Sequence, residues 1–331
     1  MNWSQIFSNA LYAAIGVNAI GYCLAAIGLN VHFGYTGLLN FGQAGFALLG
    51  AYSVAIPVSQ GWSFWWSLIW VFIVPSLFAL LLGIPTLRLR SDYLAIVTIA
   101  AAEILRLVVS TPKWTDTLGG TDGINSFTGD FREANPIDRT QFKFWKTPIT
   151  NYDVWAMICG WSLVIIASLL VYSLVRSPWG RVLKSIREDE DAARSLGKNV
   201  FTYKMVSLIL GGVIGAFGGV VLAVGNQIAN PISFRTETTF FVYAILVLGG
   251  VGKVRGPIAG AMIFWFVISF TENTLAAATD GKGTDLPEWL VTANNFGFVR
   301  FMLVGLGLAL LVIFRPQGIF GDRKEQAFDV R

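Results

Sequence analysis

Stretches of about twenty apolar residues, repeated along the chain, constrain its fold more than any other feature. Residues 10–30, 154–175 and 206–224 hold no Asp, Glu, Lys or Arg, and 257–278 holds only Glu272. Backbone groups in hydrocarbon must be satisfied within the segment, so such stretches form helices. The charged fraction agrees: 13% of 331 residues, against about a quarter in soluble domains. The expectation is an all-α polytopic membrane protein, a single domain over 1–331.

Further apolar segments run over 62–83, 93–110, 240–251 and 299–314. Trp62, Trp65, Trp66 and Trp70 mark an interface where a span begins. Segment 34–52 is apolar but crowded with Gly, and it carries Asn40 and Gln43. Such a segment faces protein or a pathway, because polar groups are costly against lipid. It is either a full crossing, giving nine spans with the start outside, or re-entrant, giving eight with the start inside. Glu103 and Arg106 stand three apart within a span, share a helix face and can pair. Cys23 and Cys159 read as buried thiols, and the single His, His32, as a polar residue at a span end.

Two polar stretches interrupt the apolar pattern. Residues 111–150 carry five basic and five acidic side chains, a long loop expected on the outside. Residues 176–204 carry seven basic and four acidic ones. The loops at 84–92, 176–204 and 253–255, with the tail 315–331, hold 15 of the 24 Lys and Arg. The positive-inside rule puts them in the cytoplasm. Within this island Pro178 suits a helix start, with Ser177 as N-cap and Gly197 as C-cap. Val182, Ile186, Ala193 and Leu196 approximate one apolar stripe, on one helix or on two with a break. Residue patterning leaves three readings: a helix on anionic lipid, a solvated loop, or a docking knob for another protein.

The stretch GRVLKSIREDEDAARSLGKNV (180–200) resembles the cytoplasmic coupling segment of LivM-type inner-membrane permeases of ABC importers. GYTGLLNFGQAGFALLGAY, LRLRSDYLAIVTIAAAEILRLV, LGGTDGI, GGVGKVRGPIAGA and FRPQGIFG agree with it. The resemblance covers about residues 24 to 321. It implies a bacterial multi-pass permease, not an enzyme, that carries branched-chain or other hydrophobic amino acids with a LivH-like second permease. It also implies a substrate-binding protein outside and two cytoplasmic ATPases that bind ATP and Mg. The helix at 178–197 would then contact an ATPase through Arg187, Glu188, Asp189, Asp191, Ala192, Ala193 and Gly197.

The chain itself needs no cofactor or metal, and nucleic acid is not expected among its partners. It has no G-x-x-x-x-G-K-[ST] phosphate cradle, and Gly249–Lys253 lacks that spacing. Polar residues in or near spans are the candidates for lining a path: Asn40, Gln43, Thr98, Glu103, Asn226 and Gln227. Permeases for urea and short amides share much of the pattern. An autonomous carrier would need paired interrupted helices in two repeats, and no clear repeat of 34–52 is visible.

Overall fold

The structure, a computed structural model, describes residues 2–88, 91–137, 141–279, 302, 305, 306 and 318–321. Two helices open the chain, α1 (Trp3–Ile15) and α2 (Val17–Leu29), separated by Gly16 in extended geometry. α2 ends in a π-helical turn, Asn30–Tyr35. The chain then runs without helix to α3 (Gln43–Ser59), followed by α4 (Phe64–Ser67), α5 (Trp70–Thr86) and α6 (Ser91–Val109). The long loop is folded. It contains α7 (Thr115–Leu118), β1 (Ile124–Asn125), α8 (Gly129–Glu133) and a hairpin of β2 (Gln141–Phe144) with β3 (Thr147–Thr150). α9 (Asn151–Arg176) starts on a capping box, with Asp153 N–H 3.2 Å from Thr150 Oγ1. The island forms α10 (Pro178–Glu188) and α11 (Glu190–Ser195). Then come α12 (Val200–Asn226), β4 (Ile228–Ala229), α13 (Thr236–Gly249) and α14 (Arg255–Thr279).

Among the described residues, five stretches are long and apolar enough to cross a membrane: Trp3–Tyr35, Phe64–Thr86, Asn151–Arg176, Val200–Asn226 and Arg255–Ala277. A sixth is added if Tyr93–Val109 and Pro112–Leu118, bent by 60°, count as one. Helices α3 and α13 are apolar but only 17 and 14 residues long. The expected span 299–314 and nearly all of the tail 315–331 lie outside the described residues. The helical expectation holds for the bundle; the two short ribbons, β2–β3 and β1–β4, were not foreseen.

Contacts sort the elements into two ends. Ser8 Oγ lies 3.1 Å from the Phe144 carbonyl and 2.9 Å from Thr147 Oγ1, so α1 meets the long loop. Tyr52 near the end of α3 donates to Ala229 O at 3.0 Å, and Ile124 pairs with Ala229, placing both in that loop end. At the other end, Arg187 of α10 reaches Gly34 O at 2.6 Å. The turn after α13 joins it through Asn30, which accepts from Gly252 N–H at 2.9 Å. Residues 319 and 320 dock there too, on the Leu248 and Gly249 carbonyls at 3.0 and 3.1 Å. Segment 34–52 therefore starts at the island end of the bundle and leads to the loop end. It combines a non-helical stretch, residues 37–42, with helix α3.

Helix α12 is the core of the bundle, packed on α2, α3, α5 and α9. Its glycines face its neighbours closely: Gly218 and Gly219 lie against the Gly21 and Ala47 carbonyls, while Gly211, Gly212 and Gly215 make room for the His32, Phe46 and Gln43 side chains. A methyl group at Gly219 would collide with the Ala47 carbonyl of α3, and one at Gly50 with the Ala216 carbonyl of α12. On α2, a methyl at Gly28 would meet Gly215 N at 2.9 Å. Exposed apolar side chains such as Leu77 and Leu81 of α5 and Ile165 and Leu169 of α9 form the outward, lipid-compatible surface.

Gly50→Val and Gly219→Val should each cost at least the ~1–3 kcal/mol of an overpacked core, because rigid backbone blocks the added atoms. Thermal unfolding in detergent should show a clear drop in Tm for both. Gly129→Ala, which meets nothing within 4 Å, should leave Tm unchanged.

Candidate functional site

The island is two helices set at a break. Pro178 occupies the first turn of α10 and Ser177 the N-cap position, but the Ser177 hydroxyl donates back to Leu174 O at 2.6 Å instead of capping. Asp189 leaves helical geometry (φ −153°, ψ 106°) and caps α11 by accepting from Ala192 N–H at 2.9 Å. The break resets the helical phase. Ile186, Ala193 and Val200 form a small core with Val182 and Tyr203, as the stripe requires. Leu196 does not join them: it is 79% exposed, which corrects its place on the stripe. Gly197, at φ +78°, closes α11 in the left-handed conformation that glycine adopts without cost.

The expected contact residues divide accordingly. Ala193 is 2% exposed and packs inward. Arg187 donates to the Gly34 carbonyl. Glu190 is paired with Lys204 of α12, whose side chain is itself nearly buried, and with Arg194 at 3.0 Å. Glu188, Asp189, Asp191, Ala192, Leu196 and Gly197 remain on the exposed side. Asp191 keeps a weak pair with Arg194 at 3.3 Å while its side chain is 91% exposed. The element is thus anchored firmly to the bundle and still presents acids and one leucine outward.

A buried polar node sits where the chain passes from the π-turn to α3. His32 donates from Nε2 to Leu208 O at 3.0 Å, which leaves Nδ1 to accept from Asn40 Nδ2 at 2.9 Å. Asn40 also donates to Gln43 Oε1 at 3.3 Å and accepts from Gly42 N–H at 2.9 Å. Gln43 donates to Ala25 O at 3.0 Å. Thr36 and Ser207 hydroxyls meet at 2.6 Å. The non-helical strap is held on both sides: Phe41 N–H donates to Thr98 Oγ1 at 3.0 Å, and Tyr243 OH donates to Asn40 O at 3.0 Å. Ala44 N–H, orphaned at the start of α3, donates to Thr239 Oγ1 at 3.0 Å. These side chains supply the partners that a broken helix loses within a membrane.

The path candidates therefore occupy three places. Asn40, Gln43 and Thr98 come together in the node, fully enclosed. Glu103 lies further along α6, where Arg106 Nε donates to its two oxygens at 3.1 and 3.0 Å and Thr236 Oγ1 approaches at 3.3 Å. That pair is partly exposed on the face between α6 and α13. Asn226 and Gln227 end α12 at the loop end. Gln227 accepts from Arg132 at 2.6 Å, and Asn226 borders a cavity of about 530 Å³ with Asn9, Asn18 and Trp265. Among the described residues no cluster of three His, Cys, Asp or Glu side chains could hold a metal.

Residue patterning did not point to His32, Thr36, Ser207, Thr239 and Tyr243 as members of the node, nor to Leu196 as an exposed apolar residue. The break in the 34–52 pattern signalled that freed backbone groups needed partners; it did not say which distant side chains would supply them.

A family model described as a branched-chain amino acid transport system / permease component matches residues 11–306. The high-affinity branched-chain amino acid transport system permease protein LivM of Salmonella typhimurium is 31% identical over 316 residues, 92% of this chain and 69% of that protein. A probable LivM of Methanocaldococcus jannaschii is 24% identical, with 91% of each chain covered. The nucleoside ABC transporter permease protein NupC of Lactococcus lactis is 25% identical, over 69% of this chain and 71% of that one.

Asn40→Leu should leave His32 Nδ1 and the Gly42 N–H buried without partners, at about 1–3 kcal/mol for each group. Unfolding of the purified protein in detergent should show a marked loss of stability. Ser76→Ala, on the exposed face of α5, should show almost none.

Proposed function

This chain belongs to the family of permease components of branched-chain amino acid transport systems, and from that premise we propose that it forms half of the translocation path of an ATP-driven importer. The observation that carries this reading is the α10–α11 element. It is locked to α12 by Glu190–Lys204 and by the Ile186–Ala193–Val200 core, yet it offers Glu188, Asp191, Ala192 and Leu196 to a partner. A rigid knob with an exposed leucine suits a groove on another protein, where one buried apolar anchor dominates binding. That partner is a cytoplasmic ATPase, two per complex, which binds ATP and Mg and closes on hydrolysis-competent nucleotide. The island end and the C-terminal tail are then cytoplasmic.

The second half of the path comes from a LivH-like permease. The face between α6 and α13 is where it stands or where the path opens. An ion pair such as Glu103–Arg106 is expensive against lipid, so a face that carries it partly exposed is covered by protein or water. Asn40, Gln43 and Thr98 shape the strap beside that face, and Asn226 and Gln227 lie near the outer mouth. The folded 111–150 loop, with Trp114 and Trp145 exposed, offers a surface to a substrate-binding protein. The cargo is a branched-chain or other hydrophobic or neutral amino acid. Permeases for urea or short amides remain the second reading, and the nucleoside permease among the relatives makes the cargo an experimental question.

The test is uptake of labelled leucine, glutamate, urea and adenosine into proteoliposomes holding both permeases and both ATPases, with the binding protein outside. Leucine uptake should require ATP, and uptake in vesicles lacking ATPase would sink the assignment. Leu196→Asp should weaken ATPase capture roughly thirtyfold, as for a hot spot of about 2 kcal/mol. Gly197→Pro should also uncouple the complex, because proline cannot adopt φ +78°.

A further inference from the structure

Helix α2 does not end in an ordinary way. The chain leaves helical geometry after Thr36; Leu38 and Gly37 N–H still serve the His32 and Phe33 carbonyls at 2.9 and 3.2 Å, and the next carbonyl along, Gly34 O, takes a side-chain donor instead. The guanidinium of Arg187 is that donor, at 2.6 Å. A cation at a helix C-terminus also meets the negative end of the dipole. Gly37 makes this possible: at φ +74° it turns the chain, and a Cβ there would already touch Arg187 Cγ at 3.3 Å. Helix α10 thus caps α2 through one charged hydrogen bond.

The strap begins directly after Gly37. Its Phe41 ring stacks on Tyr243 at 4.7 Å and 24°, and lies 6.0 Å from Phe240. Phe33, in the π-turn itself, meets Tyr243 edge-on at 5.6 Å. Phe240 is 51% exposed on α13, one turn from Thr236 and therefore beside the Glu103–Arg106 pair. The aromatic cluster sits midway along α13 and opens onto the proposed path. The strap has no helix of its own to stiffen it. Its shape depends on His32, Thr98 and Tyr243 within the bundle and on the capped turn at its start.

We propose that Arg187 is a positioning residue inside this chain, joining the ATPase-driven helix α10 to an aromatic gate of Phe41, Phe240 and Tyr243. A displacement of α10 pulls on Gly34, and the strap carries it to Phe41, whose ring parts from or closes on α13. The passing group is apolar, an amino-acid side chain, matched to three aromatic faces. This rests on the reading that α10–α11 meets an ATPase.

The experiment uses the reconstituted complex with Arg187→Ala and Arg187→Lys. A reporter thiol is placed by Phe240→Cys in a Cys159→Ser background. Arg187→Ala should still capture the ATPase. Its leucine uptake per ATP hydrolysed should fall about tenfold, the effect of one lost hydrogen bond to a charged group. With Arg187 retained, maleimide labelling of this reporter should change between the nucleotide-free and ATP-trapped complex; with Arg187→Ala it should become independent of nucleotide, while uptake is measured in chains that keep Phe240. Arg187→Lys keeps a cation at the Gly34 carbonyl and should restore part of both readouts. Unchanged coupling and labelling in Arg187→Ala would overturn the proposal. So would loss of ATPase capture, which would make Arg187 a docking contact. Failure of the wild-type complex to capture any ATPase would remove the premise, and this inference with it.

Discussion

The contact of bare backbone between α12 and its neighbours α2 and α3 is the constraint on which the rest depends. Lipid offers no hydrophobic drive between apolar helices, so close van der Waals packing must hold them. The glycines at 50 and 219 bring backbone against backbone, and those at 28 and 215 leave space only for the Gln43 amide between the helices. Between α2 and α3 the chain is non-helical over residues 37–42, and its lost backbone bonds must be made good by side chains.

That requirement explains the polar node. His32, Asn40, Gln43, Thr98, Thr239 and Tyr243 each serve a backbone group or one another, and each sits on or beside the strap. The same requirement draws distant pieces of sequence to the island end. Asn30 binds the turn between α13 and α14, residues 319 and 320 dock on the end of α13, and Arg187 caps α2. The island surface and the interior of the bundle are therefore one connected structure, and a change at that surface has a physical route inward.

Much of this was legible in the chain. Helical ends at Pro178 and Gly197, the Glu103–Arg106 pair and the bounds of most apolar helices came from local chemistry. The special character of 34–52 was legible as well, because Asn40 and Gln43 in an apolar run need partners. Leu196 was misplaced because a stripe assumes unbroken helical phase, and Asp189 interrupts it. The bond from Arg187 to the Gly34 carbonyl was not legible, because a charged helix gives no sign of which carbonyl lies beneath it. His32 read as a polar residue at a span end and stands in the last turn of Trp3–Tyr35; its buried node was not legible because its partner, the Leu208 carbonyl, stands 176 residues away.

By itself the sequence determined the class, the helical segments and the two polar faces, since those depend on runs of residue type and on charges that must find water. It also carried the motifs by which the family is recognised. The tertiary structure alone decided that 34–52 runs from the island end to the loop end as a strap and helix, and that the N-terminal helix lies with the long loop. It alone showed which of the island's residues face outward and which hold the bundle. Those outcomes depend on which backbones touch, and a glycine in a sequence shows that an approach is permitted without showing what approaches.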